Sequence, residues 1–262
     1  MTPRDDLSIS EIRALLTTAR GRTLSALLSR LAEDDRSGVQ ALVAATRARA
    51  RAEKRESSRT ARLYALEQEL RERGCRIVAG VDEVGRGALA GPLTAGAVVL
   101  APAPRIEGLD DSKRLTPGRR EELAKVIRTR AVAVCVAHVS ASEVDSLGMT
   151  AALRRVMGLA IEGLGVTVDH VVLDGLPMRV VENETAVVKG DGSVAAVAAA
   201  SIVAKVARDA LMRSLATEHP AYGFEINKGY GTSDHLAAIS RDGLSAVHRR
   251  SFTIGGGTGS LF

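Results

Sequence analysis

Four carboxylates in this chain stand where a metal-dependent reaction could take place. Asp82 and Glu83 end an apolar segment, Asp174 ends a later one, and Asp191 lies between two glycines. Because neighbouring side chains of a strand point to opposite faces, one acid of the adjacent pair must face a covered side of its sheet. A buried carboxylate is paired or holds a cation, since burying a lone charge is costly. The acids are therefore candidate ligands for a hard divalent ion, and the alternative is a turn with solvated acids.

A glycine-rich turn follows the first two acids and suits a phosphate. In Gly85-Arg86-Gly87 the glycines allow the backbone to approach a ligand closely, and the arginine suits a phosphate group. Two divalent ions about 3.5–4 Å apart can stabilise both the attacking and the leaving oxygen of a phosphodiester. The sequence contains no His-x-x-His, Cys-x-x-Cys or Gly-x-x-x-x-Gly-Lys-Ser/Thr motif, so zinc and P-loop chemistry are poorly supported.

The elements that must position these acids alternate between strands and helices from Cys75 onwards. Strands are predicted near 77–83, 93–101, 131–139 and 171–175, and helices near 116–128, 150–164, 193–217 and 233–240. Ligands bind at the carboxyl ends of such strands, where residues distant in sequence come together. We therefore predict an α/β layered domain with the acids at one end of its sheet.

Residues 1–70 are predicted to be helical throughout. Ser8 with Glu11 and Ser37 with Gln40 match the capping-box pattern that opens a helix. A basic run follows, with Glu53 and Glu56 opposed by Arg47, Arg49, Arg51, Lys54, Arg55, Arg59 and Arg62. Such a run is typical of a solvated helical linker, but it suits contact with a nucleic-acid backbone equally well.

The overall composition permits a polyanionic partner without requiring one. The 262 residues carry a formal net charge of +5, and aromatic residues make up only 2% of them, so the core must consist of aliphatic side chains. Cys75 and Cys135 show no metal-binding spacing and are predicted to be reduced thiols of a cytoplasmic protein. There is no apolar run of membrane length, and the N-terminus does not resemble a signal peptide.

The segment from Gly80 to Gly91 resembles the first signature of type 2 ribonuclease H, also called ribonuclease HII. Later segments resemble other motifs of that family in the expected order, namely 171–175, 189–193, 199–209, 228–232 and 248–252. The resemblance covers about residues 75–253, and the preceding helices resemble an extension that some bacterial members carry. One departure is Gly231, where many members have proline.

The resemblance implies a ribonuclease-H-like mixed sheet flanked by helices, with a small all-helical N-terminal appendage. The expected organisation is a helical extension with a basic run over 1–70, a catalytic domain over 75–253 and a flexible tail over 254–262. Within the catalytic domain, His138 is expected to be a hydrogen-bonded core residue and His248 to make structural hydrogen bonds. Asp209 is expected to form an ion pair on a helix surface beside Arg208.

The activity that the resemblance implies is endonucleolytic hydrolysis of the RNA strand of RNA–DNA hybrids. Single ribonucleotides embedded in duplex DNA are also expected substrates, and the products would carry 5′-phosphate and 3′-hydroxyl ends. The resemblance makes Mg²⁺ or Mn²⁺ the cofactor, held by Asp82, Glu83, Asp174 and Asp191. A cytoplasmic monomer without membrane contact is expected.

Substrate recognition is expected from the glycine-rich turn and from one tyrosine. Gly85, Arg86 and Gly87 would sense the ribose 2′-hydroxyl, the group that distinguishes RNA from DNA. Tyr230, which has a glycine on each side, would lie against the deoxyribose that follows a ribonucleotide. Its alternative role is a ring packed over the end of the long helix.

Two other functions remain open at this point. Type 3 ribonuclease H is a related enzyme, but it usually has glutamate where Asp191 stands and carries a sheet-bearing N-terminal domain. A non-catalytic hybrid-binding protein belongs to a different class. Four intact acids argue against it, because they repel a polyanion that a pure binding protein must attract.

Overall fold

The computed structural model describes residues 7–253, which fall into two compact units. The first unit comprises Met1–Arg59 and the second Thr60–Phe262. The flexible tail predicted for 254–262 lies outside the described residues. No helix in the described part of the chain is long and apolar enough to cross a membrane.

The first unit consists of helices, as its sequence predicts. They are α1 (Ile9–Thr18), α2 (Gly21–Leu31) and most of α3 (Ser37–Leu63). The first predicted capping box is confirmed, because the Ser8 hydroxyl accepts from the Glu11 backbone and the Glu11 carboxylate accepts from the Ser8 backbone. The three helices enclose a small aliphatic core of Ile12, Leu16, Leu28, Leu31, Val39 and Val43.

The second predicted capping box is wrong, because α3 begins at Ser37 itself rather than after it. The Gln40 backbone N–H donates to the carbonyl of Arg36 at 3.1 Å, so the helical hydrogen bonds start one residue earlier. The Gln40 side chain donates to the carbonyls of Ala32 and Asp34, and the Asp34 carboxylate accepts from the Arg36 backbone N–H. The Gln40 backbone N–H and side-chain amide therefore both donate to carbonyls that precede Ser37, which is not the capping-box arrangement.

The second unit contains a five-stranded mixed sheet flanked by helices. Its strand order is β3-β2-β1-β4-β5, with strands at Val78–Val84 (β1), Leu93–Val99 (β2), Ala133–Val139 (β3), His170–Asp174 (β4) and Glu184–Val187 (β5). The pairs β1–β2 and β2–β3 are antiparallel, whereas β1–β4 and β4–β5 are parallel. Four of these strands match the predicted segments. The short, half-buried β5 has no apolar run and escaped prediction.

Seven further helices lie after α3 in the described residues. They are α4 (Ala65–Glu72), α5 (Pro117–Arg130), α6 (Ala141–Leu147), α7 (Met149–Glu162), α8 (Ala195–Glu218), α9 (Phe224–Asn227) and α10 (Ser233–Asp242). As predicted, α5 starts after the N-cap Thr116 with proline at its first position. The short helix α6 was not predicted, although Ser140 and Glu143 form a capping box before it.

Helix α8 packs directly against the backbone of the central strands. A Cβ atom added to Gly80 in β1 would lie 2.2 Å from the carbonyl carbon of Ala196, and one added to Gly96 in β2 would lie 2.5 Å from the carbonyl oxygen of Ala200. The first ten residues of α8 are buried, and most of them are alanines. Glycines on the sheet and alanines on the helix therefore permit a close approach that larger side chains would prevent.

Candidate active site

Strand pairing places Asp82 beside Asp174. Strands β1 and β4 run parallel, and Val81 pairs with Leu173. The next residue of each strand is an acid, so Asp82 and Asp174 lie at the same end of the sheet. Asp82 is 5% exposed, and Glu83 beside it is partly buried. The prediction that one acid of the pair faces a covered side of the sheet is therefore confirmed.

Asp191 belongs to a short 3₁₀ turn that is tied to the same edge. The Gly190 backbone N–H donates to Oδ1 of Asp174 at 2.7 Å, so one candidate ligand orients the loop that carries another. A Cβ atom at Gly190 would lie 3.3 Å from Val197, which leaves little room for any other residue. The exposed ammonium of Lys113 lies 3.9 Å from Oδ2 of Asp191 and partly balances its charge.

The four acids repel one another electrostatically. Burial raises the pKa of Asp82 well above its ordinary value, and the nearby charges of Glu83, Asp174 and Asp191 raise it further. Burial also raises the pKa of Glu83, although the Arg86 guanidinium opposes this effect. The pKa of Asp191 is raised by burial and then by Asp174. A cation among these oxygens would relieve the repulsion that these raised pKa values express.

The donor set fits a hard divalent ion in its chemistry, but it does not enclose one. Within residues 7–253, no group of three or more His, Cys, Asp or Glu side chains is arranged to hold a metal ion by itself. Mg²⁺ is usually bound by one or two carboxylates together with water and substrate phosphates. The four carboxylates therefore remain a predicted metal site of an open kind, in which water or a substrate phosphate would fill the remaining positions around the ion.

Two buried serines lie side by side near Asp82, and one of them contacts its carboxylate. Ser201 in α8 hydrogen bonds with the Asp82 carboxylate, which lowers the pKa of that acid against the larger opposing effects. The Ser201 hydroxyl also lies 2.8 Å from the hydroxyl of Ser112. Neither serine was predicted as part of the site. Ser201 could have been recognised from the sequence, because it is the single polar residue among the first ten residues of α8.

The glycine-rich turn after β1 lies on a buried arginine. A Cβ atom at Gly85, whose φ is +89°, would lie 2.2 Å from Nε of Arg208. The Arg208 guanidinium donates to the carbonyls of Pro92, Lys228 and Ala90 at 2.9, 2.8 and 3.1 Å. A glycine is therefore required at position 85, both for the positive φ and for the close contact with Arg208. The Arg208 side chain also joins the segment of Ala90 and Pro92 to the loop of Lys228.

A second buried arginine holds the same turn from another direction. The Arg249 guanidinium donates to the carbonyl of Arg86 at 3.0 Å and to that of Gly91 at 3.1 Å. Burial lowers the pKa of Arg249 to about 10, and the neighbouring charge of Arg208 adds to this effect. Backbone carbonyls solvate both cations, so the turn has a fixed shape while Arg86 and Gly87 remain exposed.

Tyr230 lies in a loop packed against this turn. The Leu89 backbone N–H donates to the carbonyl of Gly229 at 2.8 Å, and a Cβ atom at Gly229 would lie 2.3 Å from the Ala90 carbonyl oxygen. The partly exposed ring of Tyr230 has the Arg208 guanidinium 5.4 Å from its centroid. The ring thus lies over the middle of α8 and not over the end of that helix.

Two expectations about other polar residues were partly wrong. Asp209 forms the expected ion pair but is not on the helix surface, and His138 is hydrogen-bonded but is not in the core. Asp209 is buried and pairs with Lys205 at 2.7 Å, one turn away, because Arg208 points towards the loop carbonyls. His138 is exposed at the end of β3 and is not a core residue. Its Nδ1 lies 2.8 Å from the Thr94 hydroxyl, so it is hydrogen-bonded across the strand pair.

Comparisons with known proteins find family models and relatives that match most of this chain. A family model described as Ribonuclease HII matches residues 79–254, and one described as Ribonuclease HII N-terminal domain matches residues 8–71. Ribonuclease HII of Geobacillus thermodenitrificans is 42% identical over 94% of this chain and 94% of its own length. Ribonuclease HII of Shouchella clausii is 43% identical over 86% of this chain and 87% of its own length.

Solved structures show the same fold. Ribonuclease HII in its complex with PCNA from Archaeoglobus fulgidus has a TM-score of 0.58 and 26% identity, over 70% of this chain and 98% of that one. Ribonuclease H2 of Pyrococcus horikoshii has a TM-score of 0.58 and 27% identity, over 67% of this chain and 93% of that one. The predicted ribonuclease-H-like mixed sheet is thereby confirmed.

Proposed function

Because this chain belongs to the ribonuclease HII family, we propose that the carboxylates at its sheet edge cleave the RNA strand of RNA–DNA hybrids. The chain is a ribonuclease H, an endonuclease, and ribonucleases HII act on RNA–DNA hybrids. We extend the substrates to single ribonucleotides embedded in duplex DNA, with products that carry 5′-phosphate and 3′-hydroxyl ends.

The observation that carries the proposal is the convergence of acids from separate elements. Asp82 and Asp174 end neighbouring parallel strands, and the loop of Asp191 is hydrogen-bonded to Asp174. Burial, and after it the neighbouring carboxylates, raise the pKa of Asp82 and of Asp191, and a bound cation would offset both effects. Such an edge suits a phosphodiester whose own charge must also be neutralised.

Ribonucleases HII depend on divalent metal ions, and we propose Mg²⁺ or Mn²⁺ here. Asp82, Glu83, Asp174 and Asp191 would hold the ions, which when bound would stabilise charge on the attacking and leaving oxygens of the scissile phosphate. Ser201 orients the Asp82 carboxylate, and the Gly190 backbone orients that of Asp174.

RNA is distinguished from DNA by the turn that follows these acids. We propose that the backbone of Gly85 to Gly87 contacts the ribose 2′-hydroxyl and that Arg86 contacts an adjacent phosphate. The buried arginines support this role, since they hold the turn in one shape before substrate arrives. We propose that Tyr230, in the adjoining loop, contacts the next sugar.

We propose that the enzyme works in the cytoplasm as a monomer. Both cysteines are free thiols, which agrees with a reducing compartment. Light scattering of the purified chain, with and without a hybrid duplex, measures its oligomeric state directly. A stable dimer would contradict the monomer proposal.

The alternative functions are less well supported. Both matching family models belong to type 2 ribonuclease H, and Asp191 stands where type 3 enzymes usually have glutamate. A hybrid-binding protein without activity would have no use for a buried acid such as Asp82, whose charge burial opposes.

The proposal is tested by cleavage mapping on two labelled substrates. One is duplex DNA with a single embedded ribonucleotide, and the other is a uniform RNA–DNA hybrid. With Mg²⁺, we expect cuts that leave 5′-phosphate and 3′-hydroxyl ends on both, and no cut in all-DNA duplex or in EDTA. Tight binding of the hybrid without cleavage in Mg²⁺ or Mn²⁺ would overturn the proposal and favour the binding protein.

A further inference from the structure

Glu67 in α4 is a fully buried carboxylate that the proposed reaction does not use. Its exposure is 0%, and its Oε1 accepts a 2.6 Å hydrogen bond from the backbone N–H of Ala196. Among residues 7–253, its Oε2 finds no hydrogen-bond partner. The closest cation is Arg71, whose guanidinium is 3.8 Å from Oε2 and donates to the carbonyl of Leu100 at 2.9 Å. Such an arrangement is costly and calls for a reason.

The N–H group that Glu67 binds belongs to the first turn of α8. The first four N–H groups of a helix have no partner within the helix and need acceptors from elsewhere. The N-cap of α8 is Val194, which has no side-chain oxygen and makes no side-chain cap hydrogen bond. Glu67 therefore caps α8 from another helix, 129 residues earlier in the chain, and its charge suits the positive end of the helix dipole.

The first turn of α8 packs against the glycines that precede two candidate metal ligands, Asp82 and Asp191. Ala196 lies against Gly80, two residues before Asp82 in β1. Val197 lies against Gly190, the residue before Asp191, and the Val194 N–H donates to the Gly190 carbonyl at 2.8 Å. A shift of this turn would therefore move β1 and the Asp191 loop relative to each other.

We propose that Glu67 is a positioning residue that fixes the first turn of α8, and through it the spacing of the acids that bind the divalent ions. The inference rests on the proposed function, because it assigns Glu67 a role towards those acids. Glu67 itself touches neither substrate nor metal. Helix α4, which precedes β1, thus acts on the site through α8.

The energetics favour a positioning role over a purely stabilising one. Burying the Glu67 carboxylate costs free energy that its hydrogen bond with Ala196 offsets only in part, so stability alone gives no strong reason for an acid at this position. Burial raises the pKa of Glu67 to about 7, and the hydrogen bond from Ala196 and the charges of Arg71 and Arg105 only partly oppose this. The acceptor oxygen is therefore more important than the negative charge, and glutamine can supply that oxygen.

The test compares four full-length proteins: wild type, Glu67→Gln, Glu67→Asp and Glu67→Leu. Glutamine keeps an acceptor at the same reach, aspartate keeps the charge but shortens the side chain, and leucine removes the acceptor. Mn²⁺ binding without nucleic acid is measured by calorimetry, and amide hydrogen exchange is measured over residues 190–198. A fifth protein, the Ile239→Ala variant, removes buried volume in α10 and controls for general destabilisation.

We expect Glu67→Leu to weaken Mn²⁺ binding roughly 10-fold, the usual range for supports of metal ligands, and to accelerate exchange over 190–198. Glu67→Asp should show the same changes to a smaller degree, and it tests the idea if the leucine variant does not fold. Glu67→Gln and Ile239→Ala should bind Mn²⁺ like wild type.

Two results would overturn the inference. Wild-type Mn²⁺ affinity and exchange in Glu67→Asp and Glu67→Leu would make Glu67 a packing residue only. Loss of affinity in Glu67→Gln but not in Glu67→Asp would show that charge matters and not the cap. If the wild type neither binds Mn²⁺ nor cleaves hybrids, the proposed function fails, and this inference fails with it.

Discussion

Asp82 and Asp174 differ in environment but share one expected role. Asp82 is buried and bound by Ser201, whereas Asp174 is partly exposed and accepts from the Gly190 N–H. Asp82→Asn and Asp174→Asn should each lower single-turnover hybrid cleavage by roughly 1000-fold or more, because each removes charge from the metal site. The fold should persist, since asparagine has nearly the same shape.

Asp35→Asn is the matched control, because Asp35 is exposed in the first unit and should leave cleavage unchanged. Hybrid binding without metal should survive in the two active-site variants or become tighter, since less negative charge then faces the phosphates. Near-normal turnover of either variant at saturating Mg²⁺ would contradict the metal assignment.

Tyr230 is the residue expected to select the cleavage position. Its partly exposed ring lies beside the glycine-rich turn with two cations below it, the nitrogen of Lys205 being 6.0 Å from the ring centroid. Contact between a ring and a sugar is mostly apolar, so Tyr230→Phe should keep a preference for junctions between RNA and DNA. Tyr230→Ala should weaken binding at the junction by about 1–3 kcal/mol, by analogy with base stacking.

The measurement is the ratio of cleavage rates at an RNA–DNA junction and inside a uniform hybrid. We expect the ratio to fall roughly 5- to 150-fold in Tyr230→Ala and to change little in Tyr230→Phe. If the alanine variant keeps the wild-type ratio, the ring is structural and another group must sense the junction.

At the scale of elements, α10 and the turn after it are joined by two imidazoles. Nε2 of His235 lies 3.1 Å from Nε2 of His248, whose Nδ1 is 3.0 Å from the Ser245 backbone N–H and accepts from it. The expected structural hydrogen bonds of His248 are thus confirmed. Burial lowers the pKa of His248 to about 4, and the neighbouring His235 and His219 add to this.

This low pKa predicts acid sensitivity of the second unit. The unfolded His248 takes up a proton near its ordinary pKa, whereas the folded one does not until about pH 4, so stability is lost as pH falls through that interval. We expect a loss on the order of 2 kcal/mol by pH 4 from this group. In thermal melts between pH 7 and 4, His248→Gln should be less stable at pH 7 but show a shallower fall. A slope identical to wild type would assign the acid sensitivity elsewhere.

Three basic residues of the run in α3 make structural contacts, and the other four are exposed to solvent. Arg47 and Arg49 each donate to a carbonyl at the end of a neighbouring helix, those of Leu28 and Leu16, and Arg59 pairs with Glu56 at 2.7 Å. These three residues therefore stabilise the helices. The remaining basic residues of the run are exposed, and they are Arg51, Lys54, Arg55 and Arg62.

The four exposed cations lie along one side of α3, because their spacing follows the helical repeat. Changing all four to glutamine should weaken hybrid binding and reduce the salt slope of affinity by roughly 1 for each phosphate that is no longer neutralised. The charge-matched control changes four exposed arginines outside the run, namely Arg22, Arg30, Arg128 and Arg130. Equal slopes in the two variants would show that the run is only a solvated linker.

At the scale of the whole molecule, the division into units falls earlier than the predicted domain boundary. The helical extension is predicted to end at residue 70, whereas the second compact unit begins at Thr60. Leu63, Tyr64 and Leu70 are buried in that unit, and the Tyr64 hydroxyl accepts from the Ile106 N–H at 3.0 Å. The predicted boundary stays a prediction, and truncation can test it.

A chain that starts at Thr60 should fold and cleave hybrids, with a higher KM and a flatter salt dependence. A chain that starts at Cys75 lacks α4 and should melt roughly 10 °C lower or more, because several buried side chains of about 1.5–3 kcal/mol each are removed. Circular dichroism melts and cleavage assays of both chains decide the matter. Equal stability of the two chains would place the boundary near residue 70, as the sequence predicts.

The local sequence pattern by itself was sufficient to predict the candidate metal ligands and several helix caps. Strand alternation and short motifs indicated candidate ligands, namely Asp82, Glu83, Asp174 and Asp191. This was possible because an acid that directly follows an apolar run can be recognised from adjacent residues alone. The caps at Ser8 and Thr116 were predicted for the same reason, since each involves groups three residues apart.

Only the tertiary structure decided how those residues are supported. Arg208 donates to the Pro92 carbonyl across 116 positions, Arg249 donates to the Arg86 carbonyl across 163 positions, and Glu67 caps α8 across 129 positions. Long side chains can reach many partners, and the partner is selected by burial, which leaves each charge only those acceptors that the fold brings near. Such pairings depend on how strands and helices pack, and no local spacing in the chain encodes them.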